Sequence, residues 1–384
     1  MVRSTRLRVG QARLPVSTVD TTVDILQRAT NHTTSSSPPK PNCFRAMTIN
    51  LVTGASGFIG GHLVRSLVEQ GQRVRCLVRP TSDIEHLRDL DVEFLTGDVT
   101  DPASVAKAVD GVDRVYHVAG VVVALRSRTM MQVNTHGTDI VVKACASQTQ
   151  PPVLVIVSSI AAAGPTTRGR LKTESDPSTP ISNYGRSKRG GEVAAERLAN
   201  KVPITVLRPG IVFGPGDRLL LPAFRAVRLT RLHVVPGMQP PPLSYIYVSD
   251  LVDLLCRAAE SGRRLPARRP GHNGDGYYFA CIPEYPNYCQ FGRMLRHAVG
   301  RRHAPIVSVP EPVPTLIAGI QELAGLVTGT AQPLNVDKIR EALVPSWACS
   351  GAAAARDIGL QPAKSLAERL RSTAQWYLDH NWIK

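Results

Sequence analysis

The segment Thr53-Gly54-Ala55-Ser56-Gly57-Phe58-Ile59-Gly60 follows the apolar run Ile49 to Val52 directly and opens a helical pattern that lasts to about Gln70. Few folds tolerate three glycines at this spacing between a strand and a helix. In a strand–turn–helix unit the first makes the tight turn, the second lets backbone approach a pyrophosphate, and the third lets helix pack closely on strand. The first turn of the helix adds free N–H groups and the positive end of a dipole. The segment therefore predicts a dinucleotide-binding turn with Gly54, Gly57 and Gly60 at its centre.

Other short β-branched runs recur: Val74 to Val78, Val92 to Leu95, Val115 to Val118, Val153 to Val157 and Ile204 to Leu207. They lack polar alternation, as strands buried on both faces do, and the helical stretches between them supply crossovers. The predicted class is α/β, a Rossmann-type doubly wound parallel sheet with a smaller C-terminal substrate-binding lobe. Residues 47–213 form the dinucleotide-binding domain; residues 214–384 form mainly the lobe, with some segments returning to the sheet. Helices are expected over Leu251 to Glu260, Gln290 to Val299, Leu316 to Val327 and Leu366 to Leu378. For Leu316 to Val327, packing within the lobe is the leading expectation, a membrane-surface or partner helix the alternative.

Residues 1–46 contain no sustained period and end in the linker-like Thr33 to Pro41. They are expected to be a disordered or mis-annotated extension, with translation starting at Met47; an organelle-targeting segment is the competing reading of their Arg-rich, acid-poor composition. Seven of the basic residues lie there, against Asp20 and Asp24, so the segment supplies +5 of the net +16. The densest remaining basic knot, Arg263, Arg264, Arg268 and Arg269, has no interleaved aromatics and reads as a solvated loop, so nucleic acid is not an expected partner. No apolar run approaches the ~18 residues of a spanning helix, so no stable membrane insertion is expected. Seven scattered cysteines without a C-x-x-C pair fit neither a disulfide framework nor a metal site and point to the cytoplasm.

The second strand ends Leu77-Val78-Arg79, with Val78 where an acid would hold the ribose hydroxyls of NAD and Arg79 available for the 2′-phosphate of NADP. NADP is favoured and NAD stays open, since Arg79 can equally stack on adenine. Asp98 and Val99, after the third strand, are placed at the adenine. Val118, Ala119 and Gly120, after the fourth, pass beneath the dinucleotide.

Tyr184 and Lys188 stand one helical turn apart on one face. A phenol is a poor base at neutral pH, and a neighbouring ammonium favours its phenolate. The same lysine can hold the nicotinamide ribose. Ser159 lies at the end of the Val153 to Val157 strand, where such sheets form their ligand crevice.

Together with GDVTD (97–101), YHVAG (116–120), QVNTHGT (132–138), VSSIAAAG (157–164), LRPGIVFGPGD (207–217) and YIYVSDLV (245–252), these segments resemble the extended short-chain dehydrogenase/reductase family of NAD(P)-dependent epimerases, dehydratases and reductases. The resemblance covers about residues 48–384. It implies Tyr184 as general acid/base, Lys188 as cofactor positioner and Ser159 as partner of the reacting oxygen. It also brings Ser56, Phe58, Ile59 and Pro209 to the cofactor, and gives Asn134 either a chemical or a helix-anchoring role. Family dehydratases carry an Asp-Glu pair after the Ser/Thr, where this chain has Ile160-Ala161. Nucleotide-sugar epimerases place a diphosphate-holding arginine where this chain has Leu243-Ser244-Tyr245; Arg225, Arg228 and Arg231 are the remaining substitutes. The pattern is closest to the dihydroflavonol reductase and 3β-hydroxysteroid dehydrogenase branch. The expected function is an oxidoreductase for a small, ring-bearing alcohol or ketone. A nucleotide-sugar 4-epimerase and a non-catalytic dinucleotide sensor are the alternatives, and a homodimer is compatible with either.

A chain begun at Met47 is expected to fold and turn over as the full chain does; insolubility or inactivity of that shorter chain contradicts the reading of residues 1–46.

Overall fold

The computed structural model describes residues 48–267, 274–329 and 335–384. The readings of residues 1–46, Met47, Arg268 and Arg269 lie outside the described residues.

The first half alternates strictly: β1 (Ile49–Thr53), α1 (Phe58–Glu69), β2 (Arg73–Val78), β3 (Glu93–Thr96), α2 (Pro102–Val109) and β4 (Arg114–His117). A helical stretch follows, made of α3 (Ser127–Met130), a π-helical turn (Met131–Gly137) and α4 (Thr138–Ala146), then β5 (Val153–Val157), α5 (Ile160–Ala163), α6 (Asn183–Glu196) and β6 (Ile204–Pro209). The second half comprises β7 (Ile211–Phe213), α7 (Leu221–Arg225), β8 (His233–Pro236), β9 (Tyr245–Tyr247), α8 (Val248–Ser261) and β10 (Tyr277–Ala280). It ends with α9 (Tyr288–Ala298), β11 (Ile306–Val309), α10 (Pro312–Thr328), α11 (Val336–Ala342), α12 (Ala352–Ile358) and α13 (Leu366–Asp379).

Seven strands form one parallel sheet in the order β10-β6-β5-β4-β1-β2-β3. The order reverses between β1 and β4, the place where open α/β sheets leave a crevice at their strand ends. Leu63, Leu67, Leu251, Leu255 and Ile358 cover one face from α1, α8 and α12. Val105, Val141, Val142 and Ala195 cover the other from α2, α4 and α6. A third cluster joins Phe213, Phe224, Tyr245, Phe291, Trp347 and Tyr377 to Ile160 and Ala163 of α5 and Phe279 of β10. Tyr277 to Ala280 rejoins the sheet beside β6 from beyond the first lobe segments, each residue buried.

Inside the sheet His117 staples three elements. Thr138 donates its hydroxyl to the Asn134 carbonyl at 2.7 Å, so it must accept from His117 Nε2 at 3.0 Å, leaving Nδ1 to accept from Thr53 Oγ1 at 2.8 Å. Burial pulls the imidazole down to about 3, and the nearby Lys188 ammonium acts the same way, so it is neutral.

Two expectations need correction. α10 packs on α11 and buries Ala318, but Leu316, Ile320 and Leu323 are 67%, 59% and 65% exposed. An amphipathic pattern shows that a stripe exists, not that something covers it. Arg263 and Arg264 are not simply solvated: Arg263 pairs with Asp275 at 3.3 Å and Asp357 at 3.1 Å, and Arg264 donates to the Ala258 and Ala259 carbonyls at the end of α8.

Beneath β5 and β6 lies a buried charge network. Glu192 of α6 accepts from Arg208 of β6 through Nε at 2.8 Å and Nη2 at 2.6 Å, from Arg189 at 3.0 Å, and from the Ser158 hydroxyl at 2.6 Å. Burial alone would raise the Glu192 carboxyl; attraction to Arg208 and Arg189 and the hydrogen bonds hold it below its ordinary value. Glu192→Ala strips the central carboxylate from two buried guanidinium groups and should cost ~3–5 kcal/mol, read as a lower urea midpoint; a loss within the scatter of surface substitutions contradicts the network's role.

Candidate active site

The glycine turn sits where its sequence puts it. Gly54 has φ +75°, and a Cβ there would lie 2.6 Å from the Ala119 nitrogen. At Gly60 a Cβ would meet the Gly54 carbonyl oxygen at 2.1 Å. Only glycine lets β1, α1 and the end of β4 approach so closely. No side chain caps the N-terminus of α1, which begins at Phe58 after Gly57. Its first N–H groups are free of such a partner, as a pyrophosphate cradle requires. Ser56 and Ile59 flank this opening. The turn thus fits a dinucleotide.

The adenosine end is less uniform. Val78 is buried in the core and Arg79 is exposed at the strand end, its backbone N–H donating to Ser82 Oγ at 3.2 Å. Asp98 uses one carboxylate oxygen to accept from both the Thr100 N–H and hydroxyl at 2.8 Å, and Val99 packs against Gly137. Val118 and Ala119 are half-buried beneath the turn, whereas Pro209 is buried at the end of β6.

The strand β5 delivers Ser159 past its last residue. Its hydroxyl accepts from Ala161 N–H at 3.1 Å, capping α5, and favours ionisation of the Tyr184 phenol. Ser182 caps α6 by accepting from Gly185 N–H at 2.9 Å. A Cβ on Gly185 would meet the Ala161 carbonyl oxygen at 2.4 Å, so glycine lets α6 approach α5 and brings the phenol to the serine. One turn on, Lys188 Nζ donates to the Val157 carbonyl at 2.9 Å. The hydrogen that Gly120 carries in place of a Cβ faces Lys188, for a Cβ there would lie 2.7 Å from Nζ. Lys188, Gly120, Ala119 and Gly54 therefore form one continuous wall from the candidate acid/base to the phosphate turn.

The electrostatics differ from the sequence expectation. Burial pushes the Tyr184 phenol up to about 12, against the pull of the Ser159 hydrogen bond, and the Glu341 carboxylate pushes the same way as burial. Burial pulls the Lys188 ammonium down to about 8, with Glu192 opposing. The Lys188 ammonium donates to the Val157 carbonyl instead, and Ser159 alone opposes the burial of the phenol.

Asn134 sits in the π-helical turn and holds the Val121 backbone with both side-chain ends, accepting from its N–H at 2.8 Å and donating to its carbonyl at 2.9 Å. It also donates to Ser187 Oγ at 2.9 Å. That is the anchoring role. Arg225 donates to the Trp382 carbonyl at 2.9 Å, and Arg228 to the Lys384 and Val299 carbonyls at 2.9 and 3.1 Å. Two of the three substitute diphosphate holders are thus engaged with backbone at the lobe's C-terminal end.

Sequence reading missed α11. Asp337 accepts from Asn183 N–H at 2.6 Å, pinning α11 to the start of α6, and Lys338 Nζ lies 5.1 Å from the centre of the Tyr184 ring. No motif marks these residues.

The sequence model of the NAD dependent epimerase/dehydratase family matches residues 50–270. The chain is 29% identical to a ceramide reductase of Caulobacter vibrioides over 86% of its length and 95% of that protein. It is 27% identical to a putative dihydroflavonol 4-reductase of Synechocystis over 87% of its length and 95% of that protein. The solved UDP-glucose 4-epimerase of Thermotoga maritima superposes with TM-score 0.70 at 20% identity, covering 87% of this chain and all 100% of the other, a likeness of fold.

Proposed function

Since the chain belongs to the NAD-dependent epimerase/dehydratase family and is an NAD(P)-dependent enzyme of the extended short-chain dehydrogenase/reductase type, we propose that it is an oxidoreductase acting at a secondary alcohol or ketone carbon of a small, largely apolar, ring-bearing molecule. The observation that carries this reading is the close approach of α6 to α5, where a Cβ on Gly185 would meet the Ala161 carbonyl oxygen at 2.4 Å, which sets Tyr184 beside Ser159 with Lys188 one turn away. When bound, the nicotinamide supplies or accepts the hydride. Ser159 and Tyr184 hold the substrate oxygen, and Tyr184 gives it a proton in reduction or takes one in oxidation. Lys188 reaches the nicotinamide ribose, and the glycine turn with the open N-terminus of α1 receives the diphosphate.

Three features favour this over a sugar-nucleotide epimerase or dehydratase: Ile160-Ala161 after Ser159, no arginine at Leu243 to Tyr245, and the engagement of Arg225 and Arg228 with backbone carbonyls. The relatives named ceramide reductase and dihydroflavonol 4-reductase support a reductase with an apolar substrate. Arg79, exposed at the end of β2 and beside no acid of that strand, supports NADP as the preferred cofactor. The six free cysteines among the described residues support work in the reducing cytoplasm, and no helix among those residues is long and apolar enough to cross a membrane.

Tyr184→Phe should lower turnover at least ~100-fold while cofactor affinity stays nearly unchanged, and Lys188→Ala should damage both. A Phe variant that keeps a substantial fraction of turnover removes Tyr184 as the acid/base. Because burial holds the phenol up to about 12, the proton donor is present at neutral pH. Ketone reduction should stay flat there, whereas alcohol oxidation, which needs the phenolate, should rise with pH.

Titration of both cofactors should show NADP bound ~10–100-fold more tightly than NAD, with Arg79→Ala weakening NADP selectively. Equal loss of both would mean that Arg79 only stacks on the adenine.

A further inference from the structure

α10 turns its large side chains away from the protein. Pro314, Ala318 and Gly325 are buried, and the helix packs on α11. Val313, Leu316, Ile317, Ile320 and Leu323 are each at least 44% exposed, and their spacing of three and four residues joins them in one stripe. Small residues thus line the packed side and large aliphatic ones the open side, the reverse of an amphipathic helix that serves a core. α10 carries no lysine or arginine. Its carboxylates are Glu311, before the first turn, and Glu322, which stands four residues after Ala318, off the stripe, and accepts from the Val336 N–H at 3.4 Å.

β11 leads into α10 through Pro310 and Glu311 and pairs with β8, and both strands come from acid-free chain. Residues 218–249 hold four arginines and residues 285–310 another four, and neither segment has an aspartate or glutamate. Arg301 gives its guanidinium to the Arg228 carbonyl at 3.2 and 2.8 Å, which satisfies its hydrogens and leaves its charge. In the ladder itself the register partners Val234 and Val307 are both exposed. An exposed apolar stripe of this length marks a contact surface, and the charge beside it selects the partner. A second copy of the chain fits poorly, since it brings two molecules of net charge +16 together. Nucleic acid makes no use of aliphatic side chains without aromatics to stack on its bases. A bilayer with anionic headgroups takes both features, because its charge is continuous and the arginines need no fixed place relative to the stripe. We propose that α10 is a membrane-surface helix, its stripe lying in the headgroup boundary of an anionic lipid bilayer while the arginines of the β8 and β11 segments are drawn to the lipid charge. With 17 residues and one side packed on α11, it lies along the surface and does not span. Docking of this kind is independent of the reaction carried out at Tyr184.

The test is vesicle sedimentation with the full chain. Vesicles of phosphatidylcholine with about a third phosphatidylglycerol should bind the wild type at least ~10-fold more strongly than phosphatidylcholine alone, and added salt should weaken that binding. Leu316→Ser combined with Ile320→Ser keeps the net charge and removes two side chains of the stripe, so partition onto the anionic vesicles should fall at least ~10-fold. Both side chains are exposed, so the melting temperature without vesicles should stay as in the wild type. Ile317→Ser combined with Leu323→Ser repeats the reading on the same stripe should the first pair fold poorly. A folded double variant that binds anionic vesicles as the wild type does shows only the general attraction of a basic chain and overturns the proposal. Equal binding of the wild type to both kinds of vesicle, or binding to neither, overturns it too. A wild-type dimer in solution that the same substitutions dissociate assigns the stripe to a second copy and also overturns it.

Discussion

The geometry of the candidate site depends on one buried ion cluster. Glu192 stands one turn past Lys188 on α6 and is gripped by Arg208 from β6, by Arg189 from its own helix and by Ser158 from β5. Ser158 precedes Ser159, and Lys188 donates to Val157 on the same strand. The helix carrying the phenol and the strand carrying the hydroxyl are thus fixed to each other by directional bonds rather than by apolar packing alone. Such a cluster adds little net stability compared with a well-packed apolar core, because each charge must leave water. Its value is that only one alignment of α6 on the sheet satisfies all its members, and that alignment brings Tyr184 to Ser159.

A second constraint comes from the lobe. Through Asp337, Lys338 and Glu341, α11 places one acidic hydrogen bond, one ammonium and one carboxylate around the start of α6. The phenol is therefore bounded by the sheet on one side and by the lobe on the other. The two sides act oppositely on charge: Ser159 stabilises the phenolate, while Glu341 disfavours it. A helix of no recognisable motif thus acts on the phenol in the same direction as burial.

The sheet was legible in the residues because strands buried on both faces leave continuous apolar runs, and β1, β2, β4, β5 and β6 lie within a residue or two of Ile49, Val74, Val115, Val153 and Ile204. The turn was legible because at Gly54 and Gly60 a Cβ would meet backbone at 2.6 and 2.1 Å, which excludes every other residue. α6 hides its depth: Lys188, Glu192 and Glu196 are buried charges, which no hydrophobic period reveals. α11 was invisible because its importance lies in contacts with residues far away in sequence. The exposed stripe of α10 was misjudged for a related reason, since coverage depends on a neighbour and not on the stripe.

The late strand β10 has a consequence for how the molecule assembles. Its partner β6 ends at Pro209, and the chain passes through β7, α7, β8, β9 and α8 before Tyr277 pairs with Val206. Parallel pairing across so long an excursion is entropically slow to close. During synthesis, β1 to β6 can associate while the outer edge of β6 still waits for its neighbour. Arg208 projects from β6 under the Tyr277 ring at 4.3 Å, so the last strand to dock also seals the ion cluster. A chain that emerges from its N-terminus therefore has the whole glycine turn in hand before the strand that closes the ion cluster behind Tyr184 has been made.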